Sequence, residues 1–251
     1  MIKAPSSVLL FEEAEKRGYH PSWKTPYGFF TFNTHGKTIY VYQTKNFGNN
    51  QLCAWLTSDK YATREVLAAN RLPNIPYCYS KNKNTLNAFF DTHHPLVVKP
   101  VLGEMAKGVV LVERKESIPT FDLEKTIFEK YIDGDEYRVM LIRGEVVAMQ
   151  RKQLRPTKDH PWNKKRMNLD EKEWDVKMVQ LSKTIYLLVP QELLAVDFIQ
   201  DGNGERWILE LNSMPGLWSL ANPHEGTPIN LAPKVLDLII ESQRIPSLRE
   251  S

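Results

Sequence analysis

Asp197, Glu210 and Asn212 lie in AVDFIQDGNGERWILELNSMPG, where two apolar segments flank Asn203-Gly204. Asn-Gly is the strongest two-residue hairpin signal, because both central positions of a type I′ turn need positive φ. Such a turn pairs Gly202 with Glu205 and, counting outward, sets Asp197 opposite Glu210. Two carboxylates with Cβ atoms about 5 Å apart repel unless a cation lies between them. Asn212, two residues beyond Glu210, shares its face and adds an amide oxygen. Two carboxylates and an amide form a hard donor set that suits Mg2+, or Mn2+, held partly by protein and partly by phosphate oxygens. The plain alternative is a pair of acids projecting into solvent, and a one-residue bulge would break the register.

A second group of residues suits anions. Lys99 ends the apolar segment LVVKP and precedes Gly103-Glu104-Met105-Ala106-Lys107-Gly108, a glycine-flanked loop whose amides could wrap phosphate oxygens. The loop is not a Walker A sequence. A lysine at the end of a buried strand also has an ordinary role, with its stem covered and its ammonium in water. Lys60, two residues after a helix cap expected at Ser58, has the same two readings.

The elements that must position these groups follow from periodicity and turn chemistry. A helix is expected over 6–18, capped at Ser6 or Ser7, with Val8, Leu9, Phe11 and Ala14 on one side and Gly18 as its stop. FFTFN and KTIYVYQ around Thr34-His35-Gly36 predict a hairpin over 29–43. A second helix is expected over 58–71, ending before Pro73, with Pro73 and Pro76 marking a linker. From residue 96 strands dominate: LVVKP, GVVLVE, TIFEKYI, EYRVMLI and EVVAMQR, then a helix over 174–187, the strands LLAVDFI and RWILELN, and a last helix over 230–243. Paired strands with a few covering helices define an α+β class.

Composition narrows the function classes. With 251 residues, 42% hydrophobic and 25% charged, the chain is an ordinary globular protein with a sizeable core rather than a disordered or fibrous one. A net charge of +3 is too small to imply nucleic acid, although it suits small anions. Cys53 and Cys78 fit no zinc pattern and read as free intracellular thiols. No apolar run is long enough to span a bilayer, and the N-terminus does not read as a signal peptide, so the cytoplasm is the expected compartment.

Ser58-Asp59-Lys60 with TREVL, then VVKP, GEMAKG, FEKYIDGDEYRV, and VDFI through LELNSMPG together resemble the ATP-grasp superfamily of carboxylate-amine ligases. The likeness is nearest to the ATP-grasp portions of cyanophycin synthetase and bifunctional glutathione synthetase, and it is weakest over 153–190. It implies two α+β subdomains gripping ATP behind a small N-terminal α/β piece, divided at 1–58, 59–128 and 129–251. Lys60 and Lys99 then contact the nucleotide phosphates, with Gly103, Glu104, Met105, Ala106 and Gly108 in a mobile lid. Glu129, Lys130, Tyr131 and Ile132 form the adenine hinge, Glu136 accepts the ribose hydroxyls, and Asp197, Glu210 and Asn212 hold the magnesium. Gly216 falls where backbone amides near the acyl centre are expected. Ala106 stands where many members have a glycine, which stiffens the lid.

Seven basic residues lie between Arg151 and Arg166: Arg151, Lys152, Arg155, Lys158, Lys164, Lys165 and Arg166. Most read as a solvated face. Arg151 and Lys152, closest to the preceding strand, are the catalytic candidates for the γ-phosphate or an acyl phosphate. Arg138 reaches the same region or pairs with a neighbouring acid, and His93, His94, His160 and His224 read as loop residues without metal spacing. The resemblance implies amide or peptide bond formation through an acyl phosphate, with release of ADP and phosphate. Its alternatives are a small-molecule kinase and a non-catalytic nucleotide-binding module. The basic run favours an acidic substrate such as an amino acid or peptide, and the small N-terminal piece leaves room for a homodimer or partner subunit to complete the site.

Overall fold

The computed structural model describes residues 4–45, 48–103, 107–119, 122–154 and 163–243. Helix α1 (Pro5–Lys16) begins at Pro5, whose missing N–H and fixed φ suit the first turn. Ser6 and Ser7 are therefore inside the helix and do not cap it. Both are buried with Leu10, Glu13 and Ala14, and their hydroxyls accept from the N–H groups of Leu217 (3.1 Å) and Gln43 (2.9 Å). Val8, Leu9 and Phe11 flank that face and are half-buried. Strands β1 (Ser22–Trp23), β2 (Phe29–Thr34) and β3 (Lys37–Tyr42) form an antiparallel sheet in that order, and the expected hairpin turns at His35-Gly36, both at positive φ.

The helix expected over 58–71 is present as Lys60–Ala69, and a further helix directly precedes it. α2 (Gln51–Ser58) is capped by Asn50, and α3 (Lys60–Ala69) by Asp59, whose carboxylate accepts from the Ala62 N–H at 2.9 Å. Ser58 thus ends one helix and does not start the next. β4 (Tyr77–Cys78), α4 (Lys83–His93), β5 (Leu96–Pro100), β6 (Val110–Val112) and β7 (Thr126–Lys130) build a four-stranded sheet of order β4-β7-β5-β6, with Leu86, Phe90, Leu96, Val98 and Phe128 in its core. α4, which includes His93, replaces an expected loop. Its signal was the cap at Asn82, which accepts from the Asn84 N–H at 2.8 Å.

β8 (Gly134–Ile142), β9 (Glu145–Leu154) and β10 (Lys164–Asn168) join β11 (Leu193–Asp201) and β12 (Arg206–Asn212) in an antiparallel sheet of order β10-β9-β8-β11-β12. α5 (Val176–Leu188) with α2 and α3 covers one face through Met178, Ile185, Cys53 and Leu67 against Val139, Met149, Val196 and Phe198. The other face carries Met140, Ala148 and Ala195, which share a core with α1, the N-terminal sheet and α7 (Ala232–Ser242), the last element after the short α6 (Trp218–Ala221). This is the α+β architecture expected. Further along the second face, the apolar patch gives way to charged side chains, and these make the site.

Candidate functional site

The pairing of Asp197 with Glu210 is present, but two irregularities produce it. Asp201 and Glu205 close the turn with a 3.0 Å N–H···O bond, leaving Gly202, Asn203 and Gly204 in the loop, and of these only Gly204 has positive φ (79°). The two-residue type I′ turn is thus replaced by a three-residue one, which the Asp201 carboxylate stabilises by accepting from the Asn203 and Glu205 N–H groups. Phe198 consequently pairs with Ile208, and a bulge at Leu209 then brings Asp197 opposite Glu210 and Ala195 opposite Asn212.

Asp197 is the one charged residue in the fully buried run Leu193–Ile199. Arg138 grips it in a fork, Nε to Oδ1 at 2.8 Å and Nη2 to Oδ2 at 2.6 Å, and Lys152 Nζ reaches Oδ2 at 3.0 Å. Burial raises the proton affinity of Asp197, but Arg138 and Lys152 outweigh it and hold the carboxyl well below the usual carboxylate range. Half-buried Glu210 shifts the other way: its own desolvation and then the charge of Asp197 raise it, and Arg138, 3.8 Å away, offsets this only in part. A carboxylate whose negative charge is disfavoured beside another is suited to a divalent cation. Among the described residues no three His, Cys, Asp or Glu side chains cluster as metal ligands; the Asn212 amide, on the same face two residues beyond Glu210, is the candidate third donor, and its Oδ1 also accepts from the Met214 N–H at 2.8 Å. Three hard oxygens on adjacent strands fit Mg2+ or Mn2+.

Opposite this pair stand the lysines. Lys99 is buried at the end of β5, with Nζ 2.7 Å from Glu129 Oε2. Its burial lowers its proton affinity more than Glu129 restores it. Lys60 opens α3 and donates to the Gly103 carbonyl at 2.8 Å, tying the helix to the end of the segment after β5. Its pKa is lowered by burial and then by Lys99, while Glu210 acts on both lysines in the opposite sense, so the three groups share one electrostatic neighbourhood. Gly108 is described and adopts φ 74°, whereas Glu104, Met105 and Ala106 lie outside the described residues.

At the hinge, Glu129 turns its carboxylate inward to Lys99 and to Arg64, and the N–H groups of Lys130 and Tyr131 donate to Pro76 and Pro95 at 2.9 Å each. Ile132 N–H carries no such bond among the described residues, which makes it the segment's available donor. Gly134 follows because β8 presses on β11 here: a Cβ would lie 2.0 Å from the Gln200 carbonyl oxygen. Glu136 sits beside Lys152 (3.5 Å) and Lys164. Gly216 is exposed in the loop after Asn212. That loop is anchored by Thr57 to Ser213 (2.9 Å), Thr44 to the Pro215 carbonyl (3.3 Å) and Ser6 to the Leu217 N–H.

Arg151 is not in this assembly. Side chains alternate along a strand, so Arg151 and Lys152 cannot both face Asp197. Lys152 does, whereas Arg151 pairs with Asp135 on the reverse face and lines a cavity of about 490 Å3 with Tyr137 and Gln200. The basic run contributes a different residue. Arg166 pairs with Lys152 in the β9–β10 ladder, shares its face, is half-buried, and has no carboxylate within ion-pair distance among the described residues. Its desolvation and then Arg138 lower its pKa. Proximity to the preceding strand does not single it out, because which β10 residue meets Lys152 is set by the register between the two strands. Arg64 was also missed, though TREVL placed it one helical turn beyond Lys60.

Solved structures with this architecture define the fold. A bifunctional glutathione synthetase from Pasteurella multocida superimposes with a TM-score of 0.64 at 14% identity, covering 94% of this chain and 43% of that one. The ATP-grasp ligase PsnB, complexed with a minimal precursor, gives 0.63 at 15% identity over 77% of this chain and 63% of that one. The fold is therefore ATP-grasp. The chain belongs to the RimK-like ATP-grasp domain family, whose model matches residues 57–239. A D-alanine--D-alanine ligase of Acinetobacter baylyi is 25% identical over 181 residues, which span 64% of this chain and 58% of that protein. The match thus covers less than two thirds of that relative's length. No helix among the described residues is long and apolar enough to cross a membrane.

Proposed function

We propose that this protein is an ATP-dependent carboxylate-amine ligase. The observation that carries the reading is the pairing of Asp197 and Glu210 across β11 and β12, facing Lys60 and Lys99. In the proposed cycle a substrate carboxylate oxygen attacks the γ-phosphorus and the bond to the ADP oxygen breaks, leaving an acyl phosphate. An amine nitrogen then attacks the acyl carbon, phosphate departs with the C–O electron pair, and the nitrogen loses a proton to form the amide.

The chain's part is positioning and charge compensation. Ile132 N–H and the hinge carbonyls would read the adenine edge, and Glu136 would accept the ribose hydroxyls. Lys60 and Lys99 would neutralise phosphate oxygens beneath the segment from Gly103 to Gly108. Asp197, Glu210 and Asn212 would hold Mg2+ or Mn2+, which when bound supplies charge neutralisation to the phosphates. Arg166, a cation on the Lys152 face with no carboxylate partner among the described residues, takes the place first given to Arg151 as the contact for the transferred phosphoryl group. Gly216 and its anchored loop would border the acyl centre. The division at 1–58, 59–128 and 129–251 is proposed as the functional one, with the cytoplasm, where ATP is made and spent, as the compartment.

The substrates proposed are an amino acid or short peptide carrying the carboxylate and a second supplying the amine, in a monomer, a homodimer or with a partner subunit. The names of the matched proteins, a D-alanine--D-alanine ligase and a ligase complexed with a precursor peptide, support that class. The test is ADP release with Mg2+ and pooled amino acids or short peptides, with hydroxylamine added to trap an acyl phosphate. A hydroxamate dependent on one acid is expected. ADP release without a hydroxamate would replace the reading with a kinase, and nucleotide binding without turnover would replace it with a binding module.

A further inference from the structure

Arg64 is the largest fully buried side chain among the described residues, with 1% of its surface exposed. All five of its N–H donors are used. Nε and Nη2 donate to Glu129 Oε1 and Oε2 at 2.9 and 3.3 Å, and Nη1 donates to Asn74 Oδ1 at 3.1 Å. The remaining two reach backbone carbonyls, Nη1 to Ile208 at 2.7 Å and Nη2 to Leu209 at 2.6 Å. A β-bulge leaves backbone groups outside the ladder, and Leu209 is the extra residue of the bulge that returns Glu210 to Asp197.

The Nε–Nη2 edge of the guanidinium holds Glu129, the first residue of the hinge, whose Oε2 also holds Lys99. One planar fork therefore fixes the hinge strand, the phosphate-facing lysine and the register of the strand that carries Glu210. Resting on the nucleotide-and-metal reading above, we propose that Arg64 is a positioning residue that sets the metal site from the hinge side, by holding the Leu209 bulge while it holds Glu129.

Arg64→Lys separates the two ends. A lysine keeps a positive charge beside Glu129, but its donors radiate from one nitrogen and cannot span a carboxylate and two carbonyls. Binding is measured on the full chain, with Mn2+ alone by electron paramagnetic resonance and with ADP in the absence of metal by calorimetry, alongside the melting temperature. The expected result for Arg64→Lys is at least a tenfold loss of Mn2+ affinity with metal-free ADP affinity within threefold of wild type, while Arg64→Met loses both. A folded Arg64→Lys protein that binds Mn2+ as wild type does, or that loses Mn2+ and ADP affinity by the same factor, would overturn the proposal. If Arg64→Lys does not fold, Asn74→Ala decides. It removes one side-chain partner of the fork and leaves the charges in place, so about a threefold loss of Mn2+ affinity is expected and none would overturn it. Wild-type protein that binds neither ADP nor Mn2+ would instead overturn the nucleotide reading itself.

Discussion

Arg151 and Lys152 are neighbours in one basic run, and β9 sends them to opposite faces of the same sheet. Lys152 is buried against Asp197 in a network with Arg138 and Glu136, and its desolvation followed by Arg138 pulls its proton affinity down. Arg151 pairs with Asp135, with about a third of each side chain in water, and the hydrogen bond raises its pKa. The same cationic chemistry thus has a high-stakes setting on one face and a solvated one on the other. Charge density along a sequence shows that anions are handled nearby; the pleat decides which charges handle them.

The largest effect should separate the two carboxylates of the site. Both Asp197→Asn and Glu210→Gln should lower turnover by about 1000-fold, the several kcal/mol expected when a metal's charge stabilisation is lost. They should differ in melting. Asp197→Asn strips Arg138 and Lys152 of their buried counter-charge and should cost about 3–5 kcal/mol of stability, whereas half-exposed Glu210 can lose its charge without unfolding the sheet. Equal melting of the two variants would contradict the charge network drawn here. Next, Arg166→Ala should reduce kcat on the order of 100-fold with little change in the KM for ATP, and an unaltered kcat would return Arg166 to the solvated face.

The pH dependence follows from the opposite shifts of the pair. Because desolvation and then Asp197 raise Glu210, metal binding must displace a proton above the usual carboxylate range, so the Mg2+ needed for half-saturation should climb as pH falls through that raised pKa. Glu210→Gln should flatten the climb. For folding the signs differ: Glu210 contributes stability below its unfolded pKa and loses it as pH rises through the folded one. Asp197, held low, contributes above its unfolded pKa and loses that only in stronger acid. The smallest effects return to β9. Lys152→Met should slow turnover about tenfold, while Arg151→Ala should stay within about twofold and cost under about 1 kcal/mol. Similar losses in both would mean that the two faces are not functionally distinct.

Much of this was legible in the sequence where local rules act alone. Alternating apolar segments marked the strands of the site, His35-Gly36 marked the N-terminal turn, and Asp197, Glu210 and Asn212 could be set on one face by period two. The turn beside them shows the limit. Asn203-Gly204 indicates a hairpin, but the Asp201 side chain binds two backbone N–H groups and lengthens the loop, and the Leu209 bulge shifts the register back. The pairing of Asp197 with Glu210 was thus reached from the sequence by a route the chain does not take. Helix caps misled for a similar reason: Ser6 and Ser7 have the right chemistry for a cap, yet Pro5 starts the helix and their hydroxyls hold other segments.

What the sequence determined by itself is the set of groups: hard oxygens on two neighbouring strands and lysines before a glycine-flanked loop. Their types and spacings carry that information because periodicity and turn preference depend on near neighbours. What only the tertiary structure decided is which cations meet which anions. Arg64 lies 65 positions from Glu129 and 145 from Leu209, and Arg138 lies 59 from Asp197. Those encounters depend on how the two larger sheets and α3 pack, and burial there turns ordinary side chains into fixed partners, since an unpaired charge in that interior would be costly.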